Sequence, residues 1–175
     1  ALPRPDYVIA DVGSSIYRLS TGDWEYEHNW EQQISADWLG KTAHQLHPLF
    51  ADISSIRLQE AHKQNRHKLS YYVALTSDHR SIMSEMGERL KQPSIQANLI
   101  WSIDEQQDTG LLDVLPACAG KRQAIQFLMQ QLGHDEMETI FAGDSGNDLD
   151  VLSSPIRSVL VANADPHVRE MALAQ

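Results

Sequence analysis

Two carboxylates and one carboxamide are close together in the stretch 143–148, which reads GDSGND. The apolar run 140–142 precedes this stretch, a pattern that predicts a buried strand opening into a polar loop. Open α/β sheets bind ligands beyond the carboxyl ends of their strands, and hard cations such as Mg²⁺ prefer oxygen ligands. The pattern therefore makes Asp144 and Asp148 candidate residues of a metal and phosphate site.

Lys121 is the second candidate for chemistry, because it follows Gly120 at the start of an amphipathic pattern that ends at Gly133. This pattern predicts a helix over 120–132. The helix macrodipole disfavours a cation at the first turn, so Lys121 is either a phosphate anchor or an ordinary surface lysine. The loop also has a structural alternative, in which Asp144 caps a helix and Asp148 is a first-turn acid.

The elements that must position these residues alternate in two different ways. The final third alternates strands and helices, which favours a parallel sheet. Residues 25–105 show two-residue periodicity in their strands and polar outer faces, which favours an α+β insert. The predicted helices are 29–46, with a weak point at Gly40, and then 79–90, 120–132 and 166–173; the predicted strands are 7–10, 16–19, 24–26, 53–58, 69–75, 95–101, 111–115, 139–142 and 159–162.

Charge and composition exclude several classes of partner. The chain has 175 residues, with 24 acidic and 14 basic side chains and a formal charge of −10, so nucleic acid and anionic membrane surfaces are disfavoured. The single Cys118 cannot form a disulfide within the chain, and no apolar run is long enough to span a membrane. We therefore expect a cytoplasmic protein without a polyanionic partner.

In combination, the Gly-Lys pair and the GDSGND loop resemble motifs III and IV of the haloacid dehalogenase (HAD) superfamily of phosphatases. Further stretches are similar to its sucrose-phosphate phosphatase branch, so that the resemblance covers nearly the whole chain. The resemblance implies an α/β fold, with a partial HAD-like Rossmannoid core over 1–24 and 105–175 and an inserted α+β C2-type cap over 25–104. The stretches that carry the resemblance to the branch are 6–9, 12–17, 65–73, 113–116, 120–121 and 161–164.

The resemblance also implies hydrolysis of a sugar phosphate, most simply sucrose 6-phosphate or a related disaccharide phosphate, through an aspartyl-phosphate with Mg²⁺. Asp144 would be a direct metal ligand, and Asp148 would support the metal's waters and Lys121. Lys121 would stabilise charge on the phosphoryl oxygens. The residues expected to contact substrate are Asn147 at the phosphate, Asn163 at the rim of the active site, and Gln59, Lys68, Ser70 and Tyr71 at the sugar hydroxyls.

One departure from the family is informative. The family's nucleophile and general acid belong to an Asp-x-Asp motif after the first core strand, and this chain has none; Asp11 is followed by Gly13 where the second acid would stand. The nucleophile is therefore expected outside these residues, with a preceding segment or another chain completing the core sheet. The alternative is a non-catalytic phosphosugar-binding or regulatory domain attached to a sucrose-phosphate synthase.

Overall fold

Two units make up the structure, residues Ala1–Gly120 and Lys121–Gln175. The computed structural model describes residues 4–164 and 166–173. The predicted core segments 1–24 and 105–175 therefore include residues outside the described ones, namely 1–3, 165, 174 and 175. Each unit is considered separately below.

The first unit begins with a three-stranded antiparallel sheet made of β1 (Tyr7–Ala10), β2 (Ser15–Ser20) and β3 (Asp23–Tyr26). The hairpin between β2 and β3 has a two-residue loop, in which Thr21 and Gly22 both have positive φ. Loops of this kind match the right-handed twist of paired strands. The strands predicted at 16–19 and 24–26 therefore pair with each other as a hairpin.

The predicted helix over 29–46 is wrong as a single element. The chain forms α1 (His28–Ser35) and α2 (Ala43–Leu46), separated by a 3-10 turn at Ala36–Trp38. Leu39 and Gly40 both have left-handed backbone conformations, with φ of 53° and 74°. Those conformations end the first helix, and the turn carries the fully buried Trp38 into the hydrophobic core.

A four-stranded antiparallel sheet forms the larger part of the first unit, with strand order β4-β5-β7-β6. Its strands are β4 (Ile56–Leu58), β5 (Leu69–Val73), β6 (Ala97–Asp104) and β7 (Thr109–Pro116), and α3 (His79–Lys91) packs on one face. Alternate residues of each strand point to the same face, so this face is apolar and the opposite face can be polar. The buried core residues include Leu69, Tyr71, Val73, Ile82, Met86, Leu90, Leu112 and Val114.

The predicted boundary between cap and core falls inside the hairpin of β6 and β7. Strand β7 pairs with β6 from Thr109 to Pro116, and it also pairs with β5. The residues 109–116 are therefore part of the same sheet as the strands assigned to the cap. The division into 1–24 with 105–175 and 25–104 remains a prediction, but β7, which it assigns to the core, lies in the same sheet as β4, β5 and β6.

The second unit consists of α4 (Lys121–Leu132), β8 (Ile140–Gly143), α5 (Leu149–Leu152), β9 (Arg157–Leu160) and α6 (Pro166–Leu173). Strands β8 and β9 are parallel, as the alternation predicted. Helix α4 ends at Gly133, where φ is 74° and the N–H of His134 donates to the carbonyl of Met129 at 2.9 Å. This is the Schellman arrangement that a glycine after a helical run predicts.

Within the described residues of the second unit, the two faces of its two-stranded sheet differ in burial. Phe141 packs with the buried Val151 and Ile156 on the covered face. On the other face Ile140 is 70% exposed and Val159 is 52% exposed. Among the described residues, β8 pairs with β9 in this sheet.

Candidate active site

The loop after β8 is organised by the carboxylate of Asp148. Its Oδ2 accepts hydrogen bonds from the backbone N–H groups of Asp144 and Ser145, both at 3.1 Å, and from the hydroxyl of Ser145 at 3.0 Å. Ser145 is the N-cap of a 3-10 turn over Gly146–Asp148 and forms a capping box with Asp148. The alternative in which Asp144 caps the helix is therefore wrong, because Ser145 takes that position.

Gly143 is required where β8 enters this loop. A Cβ atom on Gly143 would lie 2.9 Å from Cβ of Asp148 and 2.8 Å from the ring of Phe141. Contacts this short force the neighbouring atoms to move. The glycine therefore allows the strand to pass close beside the Asp148 carboxylate.

Lys121 is the first residue of α4, and its ammonium group reaches the same carboxylate. Nζ donates to Oδ1 of Asp148 at 2.6 Å and to Oδ1 of Asn147 at 2.7 Å. Burial by itself raises the pKa of Asp148, but the hydrogen bonds from Lys121 and from the two backbone amides outweigh it, so the pKa lies below its ordinary value. The ion pair explains why a lysine is tolerated at a helix N-terminus, where the macrodipole disfavours it.

Asp144 differs from Asp148 because its side chain is exposed and accepts no hydrogen bond from a described residue. In the described part of the chain, no three His, Cys, Asp or Glu side chains are arranged as a metal site. Mg²⁺ commonly binds proteins through one or two carboxylates and completes its octahedron with water and phosphate oxygens. The loop after β8 fits that mode, because the carboxylate of Asp144 is available to bind the ion.

Asn163 lies in the turn after β9, where the N–H of Ala164 donates to the carbonyl of Val161 at 3.0 Å. Its side chain is exposed and makes no hydrogen bond to the described residues of the loop after β8. The structure therefore brings Lys121, Asn147 and Asp148 into direct contact and does not bring Asn163 into that group.

The residues predicted to bind sugar are all in the first unit, on or beside β5. Tyr71 lies on the apolar face, is 1% exposed, and its hydroxyl is 2.9 Å from Nδ1 of His47. Burial raises the pKa of this hydroxyl. Gln59 is also buried, and its Nε2 donates to the carbonyl of Tyr71 at 3.0 Å. These contacts fit structural roles for Gln59 and Tyr71 better than direct contact with a ligand.

Lys68 and Ser70 have a different environment, because they surround a buried acid on the opposite face of the sheet. The hydroxyl of Ser70 donates to Oδ1 of Asp113, and Nζ of Lys68 is 3.8 Å from the same oxygen. The sequence had not singled out Asp113 as a site residue. A signal was present, since Asp113 is the one charged residue within the apolar run of β7.

Asp11 and its neighbours form a strained turn between β1 and β2. Asp11 and Val12 both have positive φ, 53° and 59°, which is rare for any residue other than glycine and costly for a β-branched one. The hydroxyl of Ser15 donates to Oδ2 of Asp11 at 3.0 Å. Nδ2 of Asn65 donates to the hydroxyls of Ser14 and Ser15 at 2.9 and 3.2 Å, which ties the turn to the loop before β5.

Two solved structures with similar folds define its class. The sucrose-phosphatase from Synechocystis, solved in complex with sucrose and phosphate, matches with a TM-score of 0.77 and 26% identity, over 97% of this chain and 64% of that chain. A haloacid dehalogenase-like hydrolase from Bacillus subtilis matches with a TM-score of 0.61 at 16% identity, over 96% of this chain and 62% of that chain. The fold is therefore that of the HAD-like hydrolases.

Within this class the chain belongs to the sucrose-6F-phosphate phosphohydrolase family, whose model matches residues 1–175. A putative HAD-like hydrolase from Nitrosococcus oceani is 48% identical over 98% of this chain and 46% of its own length. Sucrose-phosphatase 1 from Nicotiana tabacum is 30% identical over 97% of this chain and 38% of its own length. The chain thus spans less than half the length of these two relatives.

The mannosylfructose-phosphate phosphatase from Agrobacterium fabrum is also similar, at 28% identity over 98% of this chain and 64% of its own length. Its name and that of the tobacco relative refer to two different disaccharide phosphates. Among the described residues, none of the helices has the length and apolar character needed to cross a bilayer.

Proposed function

We propose that this chain is part of a Mg²⁺-dependent phosphatase that acts on sucrose 6-phosphate or a related disaccharide phosphate. The observation that carries the proposal is the Lys121 ammonium, which is fixed by Asp148 and Asn147 beside the exposed carboxylate of Asp144. Phosphoryl transfer depends mainly on positioning and on stabilising charge, and this group of residues provides a fixed cation.

The charges of the loop support a divalent cation there. Lys121, Asp144 and Asp148 together carry a formal charge of −1, which would repel a phosphate dianion. An Mg²⁺ ion held by Asp144 would reverse that sign and supply Lewis-acid stabilisation of the phosphoryl oxygens. Because both oxygens of Asp148 already accept hydrogen bonds, we assign Asp148 the role of holding Lys121 and the loop, and supporting the metal's waters.

The catalytic nucleophile is proposed to lie outside these residues, because no apolar strand of the sequence leads directly into an Asp-x-Asp motif; Asp148 and Asp150 have this spacing but follow five and seven residues after the end of β8. We propose that a preceding segment or another chain provides it and pairs with the edge of β8 that has no partner strand among the described residues. The exposed apolar side chains of Ile140 and Val159 support this, since natural proteins seldom leave an apolar sheet face and edge open.

The sugar is proposed to be recognised by the first unit, through Lys68 and the residues around it. A nearly buried ammonium is suited to sugar hydroxyls because it can donate several hydrogen bonds. The relatives named for sucrose phosphate and mannosylfructose phosphate support a disaccharide phosphate as the substrate class. The lone Cys118 and the acidic composition support a reducing, cytoplasmic setting.

Isothermal titration calorimetry of the 175-residue chain with sucrose 6-phosphate in MgCl₂ tests the proposal. We expect saturable binding that Lys121→Met weakens about 10-fold or more, the value of one charged hydrogen bond. Asp144→Asn should abolish the dependence of binding on MgCl₂. Lys91→Met is the matched control, because Lys91 is exposed and forms a surface ion pair with Glu88.

The same samples give a phosphate-release measurement. We expect release by this chain to stay near the uncatalysed background, because Lys121 and Asp144 can bind the ester but cannot form the covalent intermediate. Rapid Mg²⁺-dependent release would overturn the assignment of the nucleophile to another segment. Absence of binding, or binding insensitive to Lys121→Met, would overturn the proposed site. If the chain is instead a non-catalytic domain, it would bind the ester as tightly, but the full-length protein would also release no phosphate from the ester.

A further inference from the structure

The polar face of the four-stranded sheet contains a buried ion pair between Lys68 and Asp113, and the proposed function gives Asp113 no role. The side chains of Lys68 and Asp113 are each 10% exposed, and Nζ lies 3.8 Å from Oδ1. Ser70, which is fully buried, donates its hydroxyl hydrogen to that same oxygen. Removing two charges from water is costly, and their mutual attraction often fails to offset that cost. Such a cluster therefore needs an explanation beyond stability.

The ammonium group of Lys68 is incompletely satisfied. One of its three N–H groups donates to the carbonyl of Lys63 at 2.7 Å. The separation of 3.8 Å from Asp113 is too long for a direct hydrogen bond. Within the described residues, the other two N–H groups therefore reach no acceptor at hydrogen-bonding distance. An almost buried donor without a partner costs about 1–3 kcal/mol, so this group is suited to receive a ligand's oxygens.

Ser70 cannot offer its hydroxyl hydrogen to a sugar while it binds Asp113. Its backbone is also fully engaged, because its N–H donates to Oε1 of Gln64 at 2.8 Å and its carbonyl accepts from Nε2 of Gln64 at 2.9 Å. Ser70 is therefore held rigidly, and it holds the carboxylate of Asp113 in turn. This differs from the direct contact between Ser70 and substrate that the sequence predicted.

We infer that Asp113 is a positioning residue that, fixed by Ser70, holds the Lys68 ammonium as a double hydrogen-bond donor for the sugar hydroxyls of the substrate. The inference rests on the proposed function, because it assumes that Lys68 binds the sugar. Asp113 acts through Lys68 at long range and without a direct hydrogen bond. Its removal should therefore weaken sugar binding while leaving phosphate binding by the second unit unchanged.

Three ligands separate these effects: sucrose, inorganic phosphate and sucrose 6-phosphate, titrated into the 175-residue chain with MgCl₂ and followed by ligand-observed NMR. We expect Asp113→Asn to weaken binding of sucrose and sucrose 6-phosphate about 5- to 20-fold, because the attraction between the Asp113 carboxylate and the Lys68 ammonium is lost. Phosphate binding should stay within about 2-fold of the unmodified chain. Glu88→Gln, at an exposed acid on α3, should change none of the three.

A double-mutant cycle with Lys68→Met provides the readout that a purely structural role would not produce. If Asp113 acts through Lys68, then Asp113→Asn should change sucrose affinity less than about 2-fold once Lys68 is methionine. An equal effect in both backgrounds would overturn the inference. Ser70→Ala supplies a second route should Asp113→Asn fail to fold, with an expected loss of about 3- to 5-fold for the two sugar ligands only.

The failures can also be told apart. If the unmodified chain binds sucrose 6-phosphate and Asp113→Asn and Ser70→Ala leave its affinity unchanged, the positioning role is wrong and the proposed function stands. If the unmodified chain binds neither sucrose nor sucrose 6-phosphate, both are wrong. The fold of each variant is checked by tryptophan fluorescence, because all four tryptophans lie in the first unit with this cluster.

Discussion

Replacing Asp148 with asparagine should loosen the loop after β8, because one carboxylate holds the loop and Lys121 together. Asp148 is 4% exposed and accepts hydrogen bonds from Lys121, from two backbone N–H groups and from the Ser145 hydroxyl. An amide has the same shape but only one oxygen, so its NH₂ group must face donors on one side. The substitution therefore removes a charged hydrogen bond, and the new NH₂ group faces either the Lys121 ammonium or the backbone N–H groups, which are donors themselves.

The magnitude follows from these contacts. A hydrogen bond to a charged group contributes about 1.5–3 kcal/mol, and the Lys121 side chain is 30% exposed, so rehydration returns part of that. The unsatisfied donors add about 1 kcal/mol, so Asp148→Asn should lower the free energy of opening the loop by about 2–3 kcal/mol. This corresponds to a decrease of about 30- to 150-fold in protection against amide hydrogen exchange.

Hydrogen exchange with mass spectrometry on a peptide covering residues 140–152 measures this, since the amides of Asp144 and Ser145 donate to Asp148. Asp150→Asn is the matched control, because Asp150 is exposed and forms only a long surface pair with Arg122 at 3.5 Å. Such pairs contribute about 0–1 kcal/mol. The reasoning fails if the two variants lose protection equally.

The pH dependence of this effect has a defined sign. Because the pKa of Asp148 is lowered in the folded chain, its stabilisation is present above the unfolded pKa of about 3.9. It is lost as pH falls through the folded value. The difference between the unmodified chain and Asp148→Asn should therefore be full at pH 6 and should shrink below about pH 4.

Three further outcomes are expected. Ile140→Thr should change the free energy of urea unfolding by less than about 0.5 kcal/mol, because Ile140 is exposed. Ile156→Ala, in the core of the second unit, should lower it by about 2–4 kcal/mol. Equal losses would show that the face of Ile140 is already covered. Burial raises the pKa of Asp113, so its contribution to stability is full below the unfolded pKa and is lost as pH rises through the folded pKa. In urea titrations at increasing pH, Asp113→Asn should remove this decline in the free energy of unfolding. Gly110→Ala should lower stability by about 1–3 kcal/mol and alter the near-ultraviolet circular dichroism of Trp101, because a Cβ there would overlap the Trp101 ring. An unchanged spectrum would contradict that contact.

Local patterns predicted the elements around the second-unit site well. The helix that begins at Lys121 and ends before Gly133, and the strand that opens into the loop at Gly143, are where the sequence indicated. Periodicity and helix-end signals are properties of neighbouring residues, so they can be detected without knowledge of the fold.

Features that depend on tertiary contacts were not predicted. The helix expected over 29–46 is divided near the weak point that Gly40 indicated, but the 3-10 turn that places Trp38 in the core depends on packing and was not predicted. Ser145, rather than Asp144, caps the turn because the Asp148 carboxylate folds back onto it. The pairing of Ser70 with Asp113 joins residues 43 positions apart, a separation at which periodicity carries no information.

Phosphorus NMR of the 175-residue chain with sucrose 6-phosphate and MgCl₂ tests the central claim most directly, because one spectrum reports the bound ester and any released phosphate. We predict a saturable shift or broadening of the ester signal that Lys121→Met abolishes and Lys91→Met preserves, with no growing signal of inorganic phosphate. An unperturbed ester signal would contradict the phosphate site at Lys121. A steadily growing phosphate signal that requires Asp144 would contradict the proposal that the nucleophile lies outside this chain.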